Sequence, residues 1–202
     1  ADVYQTPQWV ADLAFRLPWW REWREPWTDV PFKVEEPGCG ETAPFLFAAR
    51  RACIRDNVLT TRLSGCELRR GLPRLLFGGP AVSELREGVD YLGPQTWSQF
   101  NEHDLIITNP PFSIAMPFLV RGLERLHPHG RLVFLLRLGW LESQERLPFH
   151  LSHPPIEVYV LPRRPQFIPG KGSDASGYLF AVYGKDPATV SRLRWAVEEP
   201  SP

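Results

Sequence analysis

Residues 109–112 read Asn-Pro-Pro-Phe, directly after the apolar run Asp104-Leu105-Ile106-Ile107-Thr108. Two consecutive prolines at the end of a buried strand fix φ and remove two donors, so the nearby carbonyls are presented rigidly. Asn109 offers a side-chain carbonyl oxygen and Pro110 a backbone one. Together they can accept both hydrogens of a planar NH2 group, and Phe112 can stack on the ring that carries it. An exocyclic amine on an aromatic base is a poor nucleophile because its lone pair is delocalised into the ring. Two acceptors can draw the nitrogen toward tetrahedral geometry and free that pair. This is positional and electrostatic catalysis that needs no general base. The plain alternative is a tight structural turn.

A second segment of interest is Glu36-Pro37-Gly38-Cys39-Gly40. Gly38 and Gly40 allow positive φ and close approach of a ligand to the backbone. No G-x-x-x-x-G-K-[ST] pattern exists, and Ala43 stands where a dinucleotide fingerprint would need its third glycine. A ligand without a pyrophosphate fits better, and the acidic Glu36 would welcome a cationic group such as an ammonium. Glu67 and Asp90 close further candidate strands, where an acid can take ribose hydroxyls. For both, a solvated charge is the competing reading.

The elements that must position these residues alternate. A helix is expected from Pro7 to Leu17, capped by Thr6, followed by an irregular Trp-rich connector over 18–30. Its Trp19, Trp20, Trp23 and Trp27 are expected to cover the sheet or that helix. Strands are expected over 32–34, 59–66, 89–92, 104–108, 131–138, 156–161 and 178–183. Helices are expected over 42–55, 113–126 (capped by Ser113) and 140–147, with loops and a short helix over 68–88. Such alternation implies an α/β, doubly wound, mostly parallel sheet, and the last two strands, with no helix between them, can run antiparallel. Ligands then bind beyond the carboxyl ends of the strands. Residues 1–197 are expected to form one domain and 198–202 a frayed tail.

Composition bounds the function classes. The chain has 202 residues, 43% hydrophobic and 23% charged, with 23 basic and 23 acidic residues. Zero net charge argues against a histone-like binder but not against a local basic patch. Only Lys33, Lys171 and Lys185 are lysines among the basic residues; the Arg bias suits bidentate phosphate contacts, or reflects codon usage. Three cysteines without a C-x-x-C pair point to a reducing compartment. No apolar run approaches a membrane span, and no signal-peptide pattern opens the chain, so a cytoplasmic protein is expected. His127, His129, His150 and His153 have near-metal spacing without an accompanying cysteine or acid, so no metal is expected.

Together these residues resemble the S-adenosylmethionine-dependent amino-methyltransferases, specifically N6-adenine DNA methyltransferases of phage and restriction-modification type. Asn109-Pro110-Pro111-Phe112 resembles their catalytic motif, and residues 36–40 resemble their cofactor loop. Tyr4-Gln5-Thr6-Pro7 before a helix is similar to their N-terminal cofactor motif. Residues 135–146 (LLRLGWLESQER) followed by VYVLPRRPQF resemble small phage members.

The resemblance implies a Rossmann-like class I methyltransferase with a seven-stranded sheet, bearing one antiparallel strand near the C-terminus. It implies S-adenosylmethionine held by Tyr4, Thr6, Pro7, Glu36, Gly38, Cys39, Gly40, Glu67, Asp90, Tyr91 and Asn109. It makes Asn109, Pro110, Pro111 and Phe112 catalytic, with a base flipped out of the duplex onto Phe112. Arg163, Arg164 and Lys171 become candidate phosphate contacts, and Trp140 a candidate wall of the base pocket, with core packing as its other role.

Thr42 departs from the pattern, standing where many members have a further glycine, which implies a tighter loop. No separate target-recognition domain is expected after the last strand, so readout is expected to fall to loops such as 68–88 and 162–177. The implied activity is methylation of adenine N6 in DNA within a bacterial or phage-infected cell. RNA adenine, protein glutamine, and a non-catalytic nucleic-acid-binding protein on the same scaffold remain the alternatives.

Overall fold

The structure, a computed structural model, describes residues 5–23, 31–58, 60–71, 83–94, 102–168, 172–186 and 191–197. In chain order the elements are α1 (Gln8–Ala14), α2 (Pro18–Trp23), β1 (Phe32–Pro37), α3 (Pro44–Arg55), β2 (Thr61–Glu67) and β3 (Glu84–Glu87). There follow β4 (His103–Thr108), α4 (Ala115–Arg125), β5 (Leu126–Arg137), α5 (Leu147–Ser152), β6 (Glu157–Val160), β7 (Tyr178–Tyr183) and β8 (Arg192–Trp195). The strands form one eight-stranded sheet ordered β3-β2-β1-β4-β5-β7-β6-β8. β3 to β5 are parallel, β7 is antiparallel to both β5 and β6, and β8 runs parallel to β6.

The central strands are apolar throughout because both faces are covered. Leu105 and Ile107 of β4 enter the core under α1 and α3, whereas Ile106 enters the core under α4. β5 alternates likewise, with Val133 and Leu135 on one side and Leu132, Phe134 and Leu136 on the other. The chain winds outward from β1 through β2 to β3, then crosses to β4 on the other side of β1. The switch point therefore lies between the carboxyl ends of β1 and β4, where residues 38–40 and 109–112 leave the sheet.

Several expected elements are corrected. The sheet has eight strands, not seven, because the polar Arg-Leu-Arg-Trp of β8 pairs at the edge. The third strand is Glu84–Glu87 rather than 89–92; it is a short edge strand of polar residues with no apolar run to betray it. The connector 18–30 contains α2, whose Trp19 and Trp20 are buried. Phe15, Trp20, Trp23 and Phe32 pack with them in ring pairs 5.1–6.2 Å apart, which is the covering role expected of the tryptophans; Trp27 lies outside the described residues. The helix expected over 140–147 is instead a 3-10 turn (Leu138–Trp140) and α5, which opens at Leu147-Pro148, where proline suits a first turn. Ser113 sits inside a 3-10 turn (Phe112–Ile114) and does not cap α4. α1 begins at Gln8 with Pro7, not Thr6, at the cap position, and proline offers no side-chain acceptor; the Thr6 hydroxyl instead accepts from Asn109.

Under α4 the sheet carries a buried ionic cluster. Glu35 of β1 pairs with Arg125 at 3.1 Å and lies 3.7 Å from His103 Nδ1. Burial pushes the Glu35 carboxyl up to about 7, although Arg125 pulls it down. Burial also tends to lower the Arg125 guanidinium, but its attraction and hydrogen bond to Glu35 exceed that, and its value rises. Burial, with Arg125 and Lys33, lowers His103 to about 3.

The two shifts act in opposite senses. A raised carboxyl favours folding most below its ordinary value of 4.5, and that advantage is lost by about 7. A lowered imidazole favours folding above 6.5, an advantage lost on descent toward about 3. In Glu35→Gln only the second remains, so the stability of the wild type relative to this variant is expected to fall as pH rises from about 4.5 to about 7. Urea denaturation of both proteins across that range checks the slope; a flat difference would contradict it.

Candidate active site

The turn after β1 is built by positive φ angles at Gly38 (63°), Gly40 (64°) and Ala43 (41°). A side chain at Gly40 would be strained by its φ, and a Cβ there would also come within 2.7 Å of Gln5 Oε1. The Glu41 N–H donates to that same Gln5 oxygen at 3.1 Å, and Gln5 Nε2 donates to Thr42 Oγ1. Thr42, the departure from the family pattern, thus anchors the loop to the N-terminal segment.

Glu36 is the next-to-last residue of β1, and its carboxyl is buried. Its Oε2 accepts the Leu46 N–H at 2.9 Å, and the Phe45 N–H also bonds to it, which supplies the cap that α3 lacks from its own Ala43. Burial pushes this carboxyl well above its usual range, against those two N–H groups. Glu67 closes β2 with Oε2 accepting the Gly40 N–H at 3.0 Å and Oε1 accepting the Arg69 N–H at 3.1 Å. Asp90 follows β3, exposed, with Oδ1 accepting the Leu92 N–H at 3.0 Å. Tyr91 is buried against Phe118, with ring centroids 4.9 Å apart.

At the end of β4 the Thr108 hydroxyl donates to the Pro37 carbonyl at 2.6 Å and ties the two strand ends together. Asn109 Nδ2 donates to Thr6 Oγ1 at 3.1 Å. Asn109 Oδ1 is buried and has no hydrogen-bond partner among the described residues. A buried carbonyl oxygen left so is costly and calls for a ligand group.

These ends enclose one cleft of about 1010 Å³, open mouth included. Of the residues expected to hold a cofactor, Thr6, Glu36, Gly38, Cys39, Gly40, Glu67, Asp90, Tyr91 and Asn109 line it, with Pro110 and Pro111 beside them. Pro7 is not on its wall, and Tyr4 lies outside the described residues. Gln5, Arg69, Ile114 and Phe118 also line it and were missed. The spacing of Ile114 and Phe118, four residues apart at a helix start, was a usable signal; Gln5 stood inside the Tyr4-Gln5-Thr6-Pro7 segment, but its own bonds were not legible, since its partners lie 36 and 37 residues away. Burial drives the Cys39 and Cys66 thiols far above their usual range, which keeps both protonated.

Phe112 is not on the cleft wall either. The Arg137 guanidinium covers its ring at 4.4 Å, and Tyr178 packs on it at 6.0 Å. Arg137 is held in turn by Asp174 at 2.8 Å, whose same oxygen receives the Tyr178 hydroxyl. Among the candidate nucleic-acid contacts, Arg163 lies 4.0 Å over the Trp9 ring, Arg164 is exposed and Lys171 lies outside the described residues. Trp140 is buried in the core, with Nε1 donating to the Tyr183 hydroxyl at 3.0 Å. Among the described residues no group of three His, Cys, Asp or Glu could hold a metal, and no helix is long and apolar enough to cross a membrane.

No protein-family model and no curated protein matches the chain. Solved structures do. A putative class I S-adenosylmethionine-dependent methyltransferase from Listeria monocytogenes aligns with a TM-score of 0.67 at 14% identity, over 96% of this chain and 66% of the other. The type I restriction-modification methyltransferase subunit from Streptococcus thermophilus aligns at 0.67 and 18%, over 92% of this chain and 46% of the other. A putative RNA methyltransferase from Pyrococcus horikoshii aligns at 0.61 and 15%, over 92% and 88%. This chain therefore spans less than two thirds of the first two. The likeness establishes the fold: a Rossmann-like class I methyltransferase sheet, mostly parallel, with antiparallel pairing near the C-terminus.

Proposed function

We propose that this chain transfers a methyl group from S-adenosylmethionine to the exocyclic N6 amine of adenine in DNA, in a phage or restriction-modification setting. The observation that carries the reading is Asn109 Oδ1, a buried acceptor without a partner on the wall of a cleft that acidic strand ends surround. The residues fit the cofactor. Among the described residues the groups bonded to buried Glu36 are backbone N–H groups; burial favours its neutral form, and a ligand ammonium beside it would favour the carboxylate. Glu67, fixed by the Gly40 and Arg69 N–H groups, presents a carboxylate to vicinal ribose hydroxyls. When bound, S-adenosylmethionine supplies an electrophilic methyl group on a sulfonium.

The chain's own part is to make the amine nucleophilic. Asn109 Oδ1 and the Pro110 carbonyl accept its two hydrogens and draw the nitrogen toward tetrahedral geometry. The prolines keep both acceptors still, so little reorganisation is left for the moment of transfer. A base that stacks on Phe112 takes the place of the Arg137 guanidinium, one flat group for another. Exposed Arg163 and Arg164 are proposed phosphate contacts.

The test is S-adenosylmethionine labelled on its methyl group, offered with double- and single-stranded unmethylated DNA, RNA and a protein extract. Label is expected in DNA as N6-methyladenine. Label in RNA or protein would move the substrate while keeping the chemistry. No transfer, with no cofactor binding, would overturn the reading.

A further inference from the structure

Asn109 has two ends that are nearly identical in shape and opposite in hydrogen bonding. Only one of them can accept from an amine; an Nδ2 group in the same place would point donors at donors. One end is held by a residue 103 positions earlier in the chain. Thr6 Oγ1 receives Asn109 Nδ2 at 3.1 Å, and Thr6 is itself buried, at 6% exposure. Asn109 Oδ1 is thereby the end left without a partner. An amide turned by 180° could still accept from the Thr6 hydroxyl, but it would bury two unpaired N–H groups there in place of one oxygen, which costs more.

We infer that Thr6 is a positioning residue for Asn109: its hydroxyl holds the amide so that Oδ1 receives the target amine. The inference rests on the amino-methyltransferase reading of the cleft and changes the expected role of Thr6, from cofactor contact to support of the catalytic side chain. The neighbouring Gln5 bonds the Glu41 N–H and the Thr42 hydroxyl of the loop after β1. One dipeptide therefore fixes both the loop that faces the cofactor and the amide that faces the amine.

The test uses Thr6→Val, which keeps the shape and removes the acceptor, and Thr6→Ser, which keeps the acceptor. Each is made in the wild type and in Asn109→Asp. In the wild-type background Thr6→Val is expected to lower kcat about 10- to 100-fold, with KM for S-adenosylmethionine within about twofold. Thr6→Ser is expected to restore kcat. In Asn109→Asp both terminal atoms are acceptors, so no choice of end remains to be made and Thr6→Val should cost less than about threefold there. Nuclear magnetic resonance gives a readout without activity: the Asn109 side-chain NH2 pair, assigned by its loss in Asn109→Asp, should show one bonded proton that Thr6→Val releases.

An equal loss in both backgrounds would overturn the inference, as would a raised KM with unchanged kcat, or an NH2 pair indifferent to Thr6→Val. If the wild type methylates nothing, the functional reading fails, while the amide resonances still decide whether Thr6 orients Asn109.

Discussion

Asn109→Ala is expected to slow methyl transfer by about 10²- to 10³-fold in single-turnover assays, the cost of removing one preorganised hydrogen-bonding group from a reacting centre. The loss should fall on kcat. The cleft that faces the cofactor is built largely by Glu36, the loop at 38–40 and Glu67, none of which depends on the Asn109 amide. Affinity for S-adenosylmethionine, measured by calorimetry, should therefore change by less than about fivefold. Alanine also removes the bond to Thr6, but it removes the orphaned Oδ1 at the same time, so stability should hold or rise slightly. A variant that transfers normally would show that the Pro-Pro turn is structural. Asn109→Asp, which keeps an oxygen at either end, should retain more activity than Asn109→Ala.

The second large effect is on stability. Arg125→Met is expected to lower the unfolding free energy by about 3–5 kcal/mol at mildly alkaline pH, because it strands the Glu35 carboxylate in the core. Glu35 is 0% exposed and Arg125 is the cation bonded to it. The deficit should shrink on acidification, as Glu35 takes up a proton and no longer needs the guanidinium. Replacing both residues, Glu35→Leu with Arg125→Met, removes the unpaired charge and should return the protein to within about 2 kcal/mol of the wild type. Urea denaturation of the three proteins decides it. A double variant no better than Arg125→Met would mean that the alkyl packing of Arg125, not its charge, matters. The pair also fixes α4 against β1, and α4 begins shortly after the Asn109-Pro110-Pro111 turn.

What could be read from the sequence follows from how local each constraint is. Pro110, Pro111, Gly38 and Gly40 limit their own backbone, so the two turns that meet at the switch point announce themselves in four or five residues. The strands β4, β5 and β7 are equally legible, since burial on both faces demands continuous apolar runs. β3 and β8 are not: Glu-Leu-Arg-Glu and Arg-Leu-Arg-Trp are edge strands whose charges stay at the surface, so no hydrophobic pattern marks them. The Arg137 cover on Phe112 and the Gln5 anchor on the loop arise from residues 25 and 36 positions apart, and nothing in a local window reports them. Trp140 had two readings, and its bond to the Tyr183 hydroxyl, 43 residues away, was equally out of reach of a local window.

The bond between Thr6 and Asn109 also bears on how the protein comes into being. It joins residues 103 apart, with the first four strands of the sheet lying between them. During synthesis at about 5–20 residues per second, the N-terminal dipeptide leaves the ribosome several seconds before its partner exists. Closing so long a loop gains nothing until β4 has docked beside β1. The amide can therefore be set only in a chain whose central sheet is already in place. On the proposed function, a half-made or misfolded copy would carry residues 109–112 without the geometry that the chemistry requires.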